Sequence, residues 1–250
     1  MKKNAVFYCL SIIFIIFNSC SKENENVSKS NSILGFWKQT TPNFILEFGK
    51  DSILTVYKLS YNDICYLYDK KIFTIVSENN IVIDGKNMLY KIENGQLNVY
   101  DENKSNYYAY PLTHCDKPEL NPIPNKLVNL SISLNYDYDL NATLACKIIT
   151  KPRFITDVLG FGGVLIINGF GTNPVNLYAF NATCPVECDE NIQVIPDEMG
   201  KVKCPKCGSV YVIYDGSGKP ENGSKYPLYP YKITYKSNNG YIISNFTSNP

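Results

Sequence analysis

Asn181 to Tyr211, NATCPVECDENIQVIPDEMGKVKCPKCGSVY, carries four of the chain's nine cysteines in two close pairs. Cys184 and Cys188 bracket Pro-Val-Glu, Cys204 and Cys207 bracket Pro-Lys, and fifteen residues separate the pairs. That is ordinary spacing for a tetrahedral four-thiolate metal site. In Cys204-Pro205-Lys206-Cys207-Gly208 the proline stiffens a tight turn and the glycine permits positive φ, so backbone N–H groups can point at the sulfurs. Asn176 to Phe180 reads as a strand leading into the first cysteine loop, Lys201 to Lys203 as one leading into the second, and Val210 to Tyr214 as the strand that leaves it. Two loops of one sheet are expected to face each other.

Outward from that stretch the chain keeps the same texture. Its 250 residues include 20 Tyr and 12 Phe in short runs punctuated by Asn, Asp and Gly, which favours strands over helices. An all-β chain of two domains is expected. There are 24 basic and 23 acidic residues and no basic block, which argues against a nucleic-acid partner.

Met1-Lys2-Lys3, the apolar run Ala5 to Phe17 and then Asn18-Ser19-Cys20 form a leader over residues 1–20, too short for a membrane helix of about 20 apolar residues. It resembles the leader of bacterial lipoproteins, with Ser19 before the lipidated cysteine. The resemblance implies that Cys20 is lipidated, becomes the first mature residue and holds the protein to the lipid membrane of the bacterial cell envelope. An ordinary secretory leader is the alternative. Residues 21–32, rich in Lys, Glu, Asn and Ser, read as a disordered tether.

From 33 to 114 short apolar runs alternate with turn signals: Phe44–Phe48, Ile53–Leu59, Ile64–Tyr68, Ile72–Val76, Ile81–Ile83, Met88–Ile92, Leu97–Tyr100 and Tyr107–Tyr110. Asp84-Gly85 and Asn94-Gly95 are hairpin turns. A meander of this length removes its edges by closing into an antiparallel barrel. Leu34-Gly35-Phe36-Trp37, with the only Trp, is similar to the opening of lipocalin-like domains. That implies a barrel whose mouth can hold a small apolar ligand, although a barrel filled by its own side chains is expected first. Cys65 and Cys115 are a candidate disulfide, and Cys146 reads as a buried hydrophobe. His114, the single histidine, is expected in a solvated loop.

Residues 115–126, with prolines at 118, 122 and 124, read as a stiff linker. In the second domain, 127–246, Leu130, Ile132 and Leu134 alternate with Asn129, Ser131 and Ser133 as in a half-buried strand, and a β sandwich or barrel of about eight strands is expected. The order Gly162 to Ile167, Leu177 to Pro185, Cys204 to Tyr211, Gly216, Gly218 and Tyr226 to Ile233 is similar to the Rieske [2Fe-2S] domain. In that family two cysteines bind one iron and two histidines the other. Carried across, Cys184 and Cys204 fall on the cysteine positions, Cys207 on the second histidine position and Val186 on the first. With one distant histidine, the usual Rieske ligand set cannot form in this chain.

Three occupants of the cysteine site follow. Zinc held by Cys184, Cys188, Cys204 and Cys207, as a structural ion that ties the two loops together, is the first choice, on spacing. An all-cysteine iron–sulfur centre or single iron is the alternative, implied chiefly by the resemblance, and would make the chain an electron-transfer protein. The lysine leader, which lacks twin arginines, suits export unfolded and weighs against a preassembled cluster. Disulfides or a vestigial site form the third. No triad, phosphate loop or dinucleotide fingerprint is present, so binding to an envelope protein or small ligand is expected rather than catalysis. Asp189-Glu190 and Asp197-Glu198 are expected in a solvated loop.

Overall fold

The computed structural model describes residues 32–39, 43–101, 111–171 and 175–246, so Cys20, the leader and Tyr107–Tyr110 lie outside it. The described residues from Ile33 onward form one compact, all-β unit. Among the described residues no helix is long and apolar enough to cross a membrane.

The first eight strands are β1 (Gly35–Gln39), β2 (Phe44–Phe48), β3 (Ile53–Leu59), β4 (Cys65–Ser77), β5 (Asn80–Ile83), β6 (Lys86–Glu93), β7 (Gln96–Tyr100) and β8 (Leu112–Cys115). Each pairs with the next in antiparallel register, and β8 returns to β1 to close the barrel, with Trp37 opposite His114. Asp84-Gly85 and Asn94-Gly95 turn with φ of 48° and 77°, and of 51° and 74°, as two-residue hairpins require. Side chains from every strand fill the interior, among them Trp37, Phe48, Phe73, Ile81, Ile83, Leu97 and Leu112. The Trp37 indole N–H, buried with them, donates to the Ile33 carbonyl at 2.7 Å.

The barrel has eight strands, with different members from those expected. Ile72–Val76 and all of Ile64–Tyr68 but its first residue are parts of the single strand β4, because Asp69, Lys70 and Lys71 keep their side chains at least partly in solvent and interrupt nothing. The strand containing Trp37 opens the barrel, and Leu112–Cys115 closes it inside what reads as the end of a meander and the start of a linker. His114 is therefore a strand residue, exposed, with its ring edge-on to Trp37 at 5.4 Å between centroids.

Beyond the barrel run β9 (Val128–Ser133), β10 (Cys146–Ile149), β11 (Val158–Leu159), β12 (Val164–Asn168), β13 (Leu177–Asn181), β14 (Ile195–Asp197), β15 (Lys201–Lys203), β16 (Val210–Val212), β17 (Pro220–Asn222), β18 (Pro230–Tyr235) and β19 (Gly240–Ser244). They form a seven-stranded sheet in the order β10-β12-β13-β18-β19-β9-β11 and a four-stranded sheet β14-β15-β16-β17. Strand β12 is buried at all five positions because it serves two cores. Val164 and Ile166 face the core shared with Leu130, Ile132 and Tyr231, whereas Leu165 and Ile167 face Val202, Tyr211, Ile213 and the buried cysteines Cys184 and Cys204.

The segment between barrel and second sheet is packed. Cys65 N–H donates to the Glu119 carbonyl at 2.8 Å and Asn121 N–H to the Cys65 carbonyl at 2.7 Å. The buried Asn121 amide donates to the Pro227 carbonyl at 2.7 Å, and Ile123 joins Tyr66, Tyr229 and Leu130 in one core. Barrel strand β4 thus contributes Tyr66 to the core of the second sheet.

Candidate metal centre

Strand β13 delivers the first cysteine loop. At its end the buried Asn181 side chain accepts the Thr183 N–H at 2.8 Å and donates to the Tyr231 hydroxyl at 2.7 Å and to the Phe161 carbonyl. Thr183 Oγ1 donates to that same carbonyl at 3.1 Å. Val194 N–H returns to the Ala182 carbonyl at 2.8 Å and Cys184 N–H to that of Ile192 at 3.2 Å, which closes the loop on itself. Gly162 backs this arrangement: with φ of +76°, a Cβ there would collide with the Thr183 hydroxyl. The second loop is the tip of the β15–β16 hairpin, so the loops come from different sheets rather than from one. The expectation of a single sheet fails because β14 and β17 widen the cysteine excursion into a sheet of its own. Strand β14 is wholly exposed and gives no burial pattern, and β17 begins on a proline.

The two turns are backbone copies of each other. In Cys184-Pro185-Val186-Glu187-Cys188 the fifth residue's N–H donates to the first residue's carbonyl at 2.9 Å, and in Cys204-Pro205-Lys206-Cys207-Gly208 the same bond is 3.0 Å. The fifth residue is left-handed in both, with φ of 48° at Cys188 and 77° at Gly208. A Lys206–Glu187 ion pair at 2.5 Å joins them.

Three of the four paired cysteines converge. The sulfurs of Cys184, Cys204 and Cys207 all lie within 4.8 Å of one another, with Cys184 and Cys207 at 3.6 Å. Cys188 is turned away, and its thiol donates to the Pro122 carbonyl at 3.3 Å. Bonds of about 2.3 Å to a tetrahedral zinc place thiolates about 3.8 Å apart, so the three sulfurs stand near a coordination triangle. Cys184 and Cys204 are fully buried and Cys207 is exposed, which leaves one side of the group open to solvent. The donor set is all sulfur: His114 is on the barrel, and among the described residues no carboxylate or imidazole joins the triad.

Polar groups are aimed at these sulfurs. The Tyr211 hydroxyl is 3.3 Å from Cys184 Sγ, and the Ser209 hydroxyl 3.1 Å from Cys207 Sγ. Burial pushes the Cys184 thiol up to about 11, against hydrogen bonds from Tyr211 and from the Glu187 and Val186 backbone. Cys207 feels burial too, but the Ser209 hydroxyl and N–H and the two neighbouring thiols outweigh it and hold Cys207 below the ordinary thiol value. Burial and the nearby Cys184 sulfur push the Tyr211 phenol up, so it remains a hydroxyl donor. Ser209 and Tyr211 are additions to the residues singled out above. Their spacing of two along the segment that continues as β16, directly after the second cysteine pair, is the signal that places both on the sulfur side.

The other cysteines lie elsewhere. Cys65 is buried and Cys115 half-buried, both free thiols in the small cluster with Ile45, Tyr57 and Leu59. Burial pushes Cys65 up to about 12. Cys146 is half-buried against the core of the cysteine loops. Of the acidic pairs, Glu190 meets Lys126 at 3.2 Å and Asp197 caps the short turn Glu198–Gly200, both in solvent.

No protein-family model and no curated protein matches the chain. Fold and site therefore define it directly: an all-β protein with a closed eight-stranded barrel and a three-cysteine group able to hold a metal ion.

Proposed function

We propose that the chain is a lipid-anchored protein of the bacterial cell envelope that binds a metal ion through the cysteine loops of a Rieske-like, histidine-free domain and acts by binding rather than by catalysis. The observation that carries it is the convergence of the Cys184, Cys204 and Cys207 sulfurs. The fit is chemical as well as geometric, because the Tyr211 hydroxyl lies 3.3 Å from the Cys184 sulfur and the Ser209 hydroxyl 3.1 Å from that of Cys207, polar partners of the kind that orient metal ligands. Zinc is the first choice for such a donor set and would tie the two sheets together. The leader, with Cys20 as the lipid attachment, supplies the membrane. The lipocalin-like barrel, filled by its own side chains, serves as a support and as a surface for an envelope partner.

The test is metal content beside thermal melting for the wild type and Cys207→Ser. Cys207 is exposed, so its replacement costs little packing. Loss of bound metal together with a lower melting temperature is expected; unchanged metal content and unchanged melting would refute the site.

A second function, electron transfer through an iron centre on the same sulfurs, draws on Tyr211 and Ser209. Hydroxyls hydrogen-bonded to sulfur raise the reduction potential of such centres. Tyr211→Phe would then lower the potential of an iron-loaded protein, measured by redox titration, and a colourless protein with one zinc removes this reading.

A further inference from the structure

We infer, resting on the metal-binding reading above, that the site is a three-thiolate centre with its fourth coordination position open to an outside nitrogen or sulfur donor, and that Cys188 is not a ligand. The two cysteine turns share their backbone hydrogen bond and their left-handed fifth residue, so side chains at equivalent positions leave in equivalent directions. Gly208 is the fifth residue of the second turn, and a Cβ built there meets nothing within 4 Å. Cys188 is the fifth residue of the first turn, and its side chain likewise leads off the sulfurs, to the Pro122 carbonyl. The fourth residue of each turn is the one that faces the partner loop. In the second turn it is Cys207, which joins the triad; in the first it is Glu187. Its carboxylate is committed to Lys206 at 2.5 Å and lies outside the triad.

The fourth position is therefore left to the solvent side, where Cys207 and Val186 are exposed. Structural zinc sites close all four positions with protein ligands, whereas sites that bind something at the metal keep one open. Thiolates favour soft to borderline metals, whose added ligand of matching character is an imidazole or a thiol rather than a carboxylate.

Cobalt(II) separates the possibilities, because thiolate-to-cobalt charge-transfer absorption reports bound sulfur and the ligand-field bands report the fourth ligand. The full chain is purified in detergent under reducing conditions and loaded with Co(II) as wild type, Cys188→Ser, Glu187→Gln and Cys207→Ser. Charge-transfer intensity retained in Cys188→Ser and Glu187→Gln, reduced in Cys207→Ser, and ligand-field bands that shift on adding imidazole are expected. Intensity lost in Cys188→Ser, or bands unmoved by imidazole, overturns the open position while leaving a metal site in place. No charge-transfer absorption in the wild type overturns metal binding itself and the inference with it.

Discussion

At the scale of single residues, chemistry is concentrated where a side chain is both buried and answered. Asp137 is almost fully buried, and burial alone would raise its carboxyl, but Arg153 at 2.7 Å, Lys147 at 2.9 Å and the Ser133 N–H at 3.3 Å hold it below the ordinary carboxylate value. A depressed folded value means that this stability is fully present above the unfolded carboxylate value near about 4 and is lost as pH falls through the folded one. Asp137→Asn is therefore expected to cost about 2–3 kcal/mol at pH 7, less than a fully buried pair because Arg153 and Lys147 are partly exposed. Denaturant melts over a pH series check this: the gap between variant and wild type should close in acid, and a gap independent of pH would assign it to packing instead. Gly162→Ala acts on the cysteine loop by sterics. A Cβ there meets the Thr183 side chain and lies 3.1 Å from the Glu190 carbonyl, at a φ of +76° that disfavours any side chain. A loss of about 2 kcal/mol or more is expected, with faster alkylation of Cys184 as the loop opens; wild-type alkylation rates would mean that the loop stands without this contact.

At the scale of elements, turns and alternation were legible because local chemistry fixes them. Asp84-Gly85 and Asn94-Gly95 are hairpins for their φ values, and Leu130, Ile132 and Leu134 face one core because a strand repeats every two residues. Charge within a strand misled, since Asp69-Lys70-Lys71 reads as a break and is the middle of β4. Strands β14 and β17 carry almost no apolar signal; neighbours in three dimensions specify them, Lys203 pairing with Ile195 and Tyr211 with Pro220. The candidate site was legible as two cysteine pairs, but spacing along the chain cannot tell the fourth position of a turn from the fifth. That difference sends the Cys207 sulfur into the triad and the Cys188 sulfur to Pro122. Tyr211 and Ser209 were legible only once the strand's two faces were known.

At the scale of the whole molecule, the prolines at 118, 122 and 124 suggest two bodies on a stiff connector, whereas the connector is hydrogen-bonded to Cys65 of the barrel and to Pro227 in the loop that leads into β18. Tyr66 of the barrel packs edge-on at 5.8 Å against Tyr229, the residue before β18, and at a tilt against Phe246 at 5.5 Å. A shared core of this kind predicts one cooperative transition. Trp37, the lone tryptophan, reports the barrel by fluorescence, and the buried Cys204 reports the far sheet by becoming open to thiol labelling as it unfolds. Their denaturation midpoints should coincide, and Tyr66→Ala should lower both together, with a loss of about 3–5 kcal/mol of stability; separate midpoints would divide the molecule at residues 115–126. The central claim, that the converging thiols hold a metal, is tested most directly by native mass spectrometry of the chain purified without added metal, with and without a chelator. One metal ion per chain, removed by the chelator and absent from Cys204→Ser, is the predicted result. A metal-free chain lighter by the hydrogens of a disulfide, with Cys184 joined to Cys207, would contradict it.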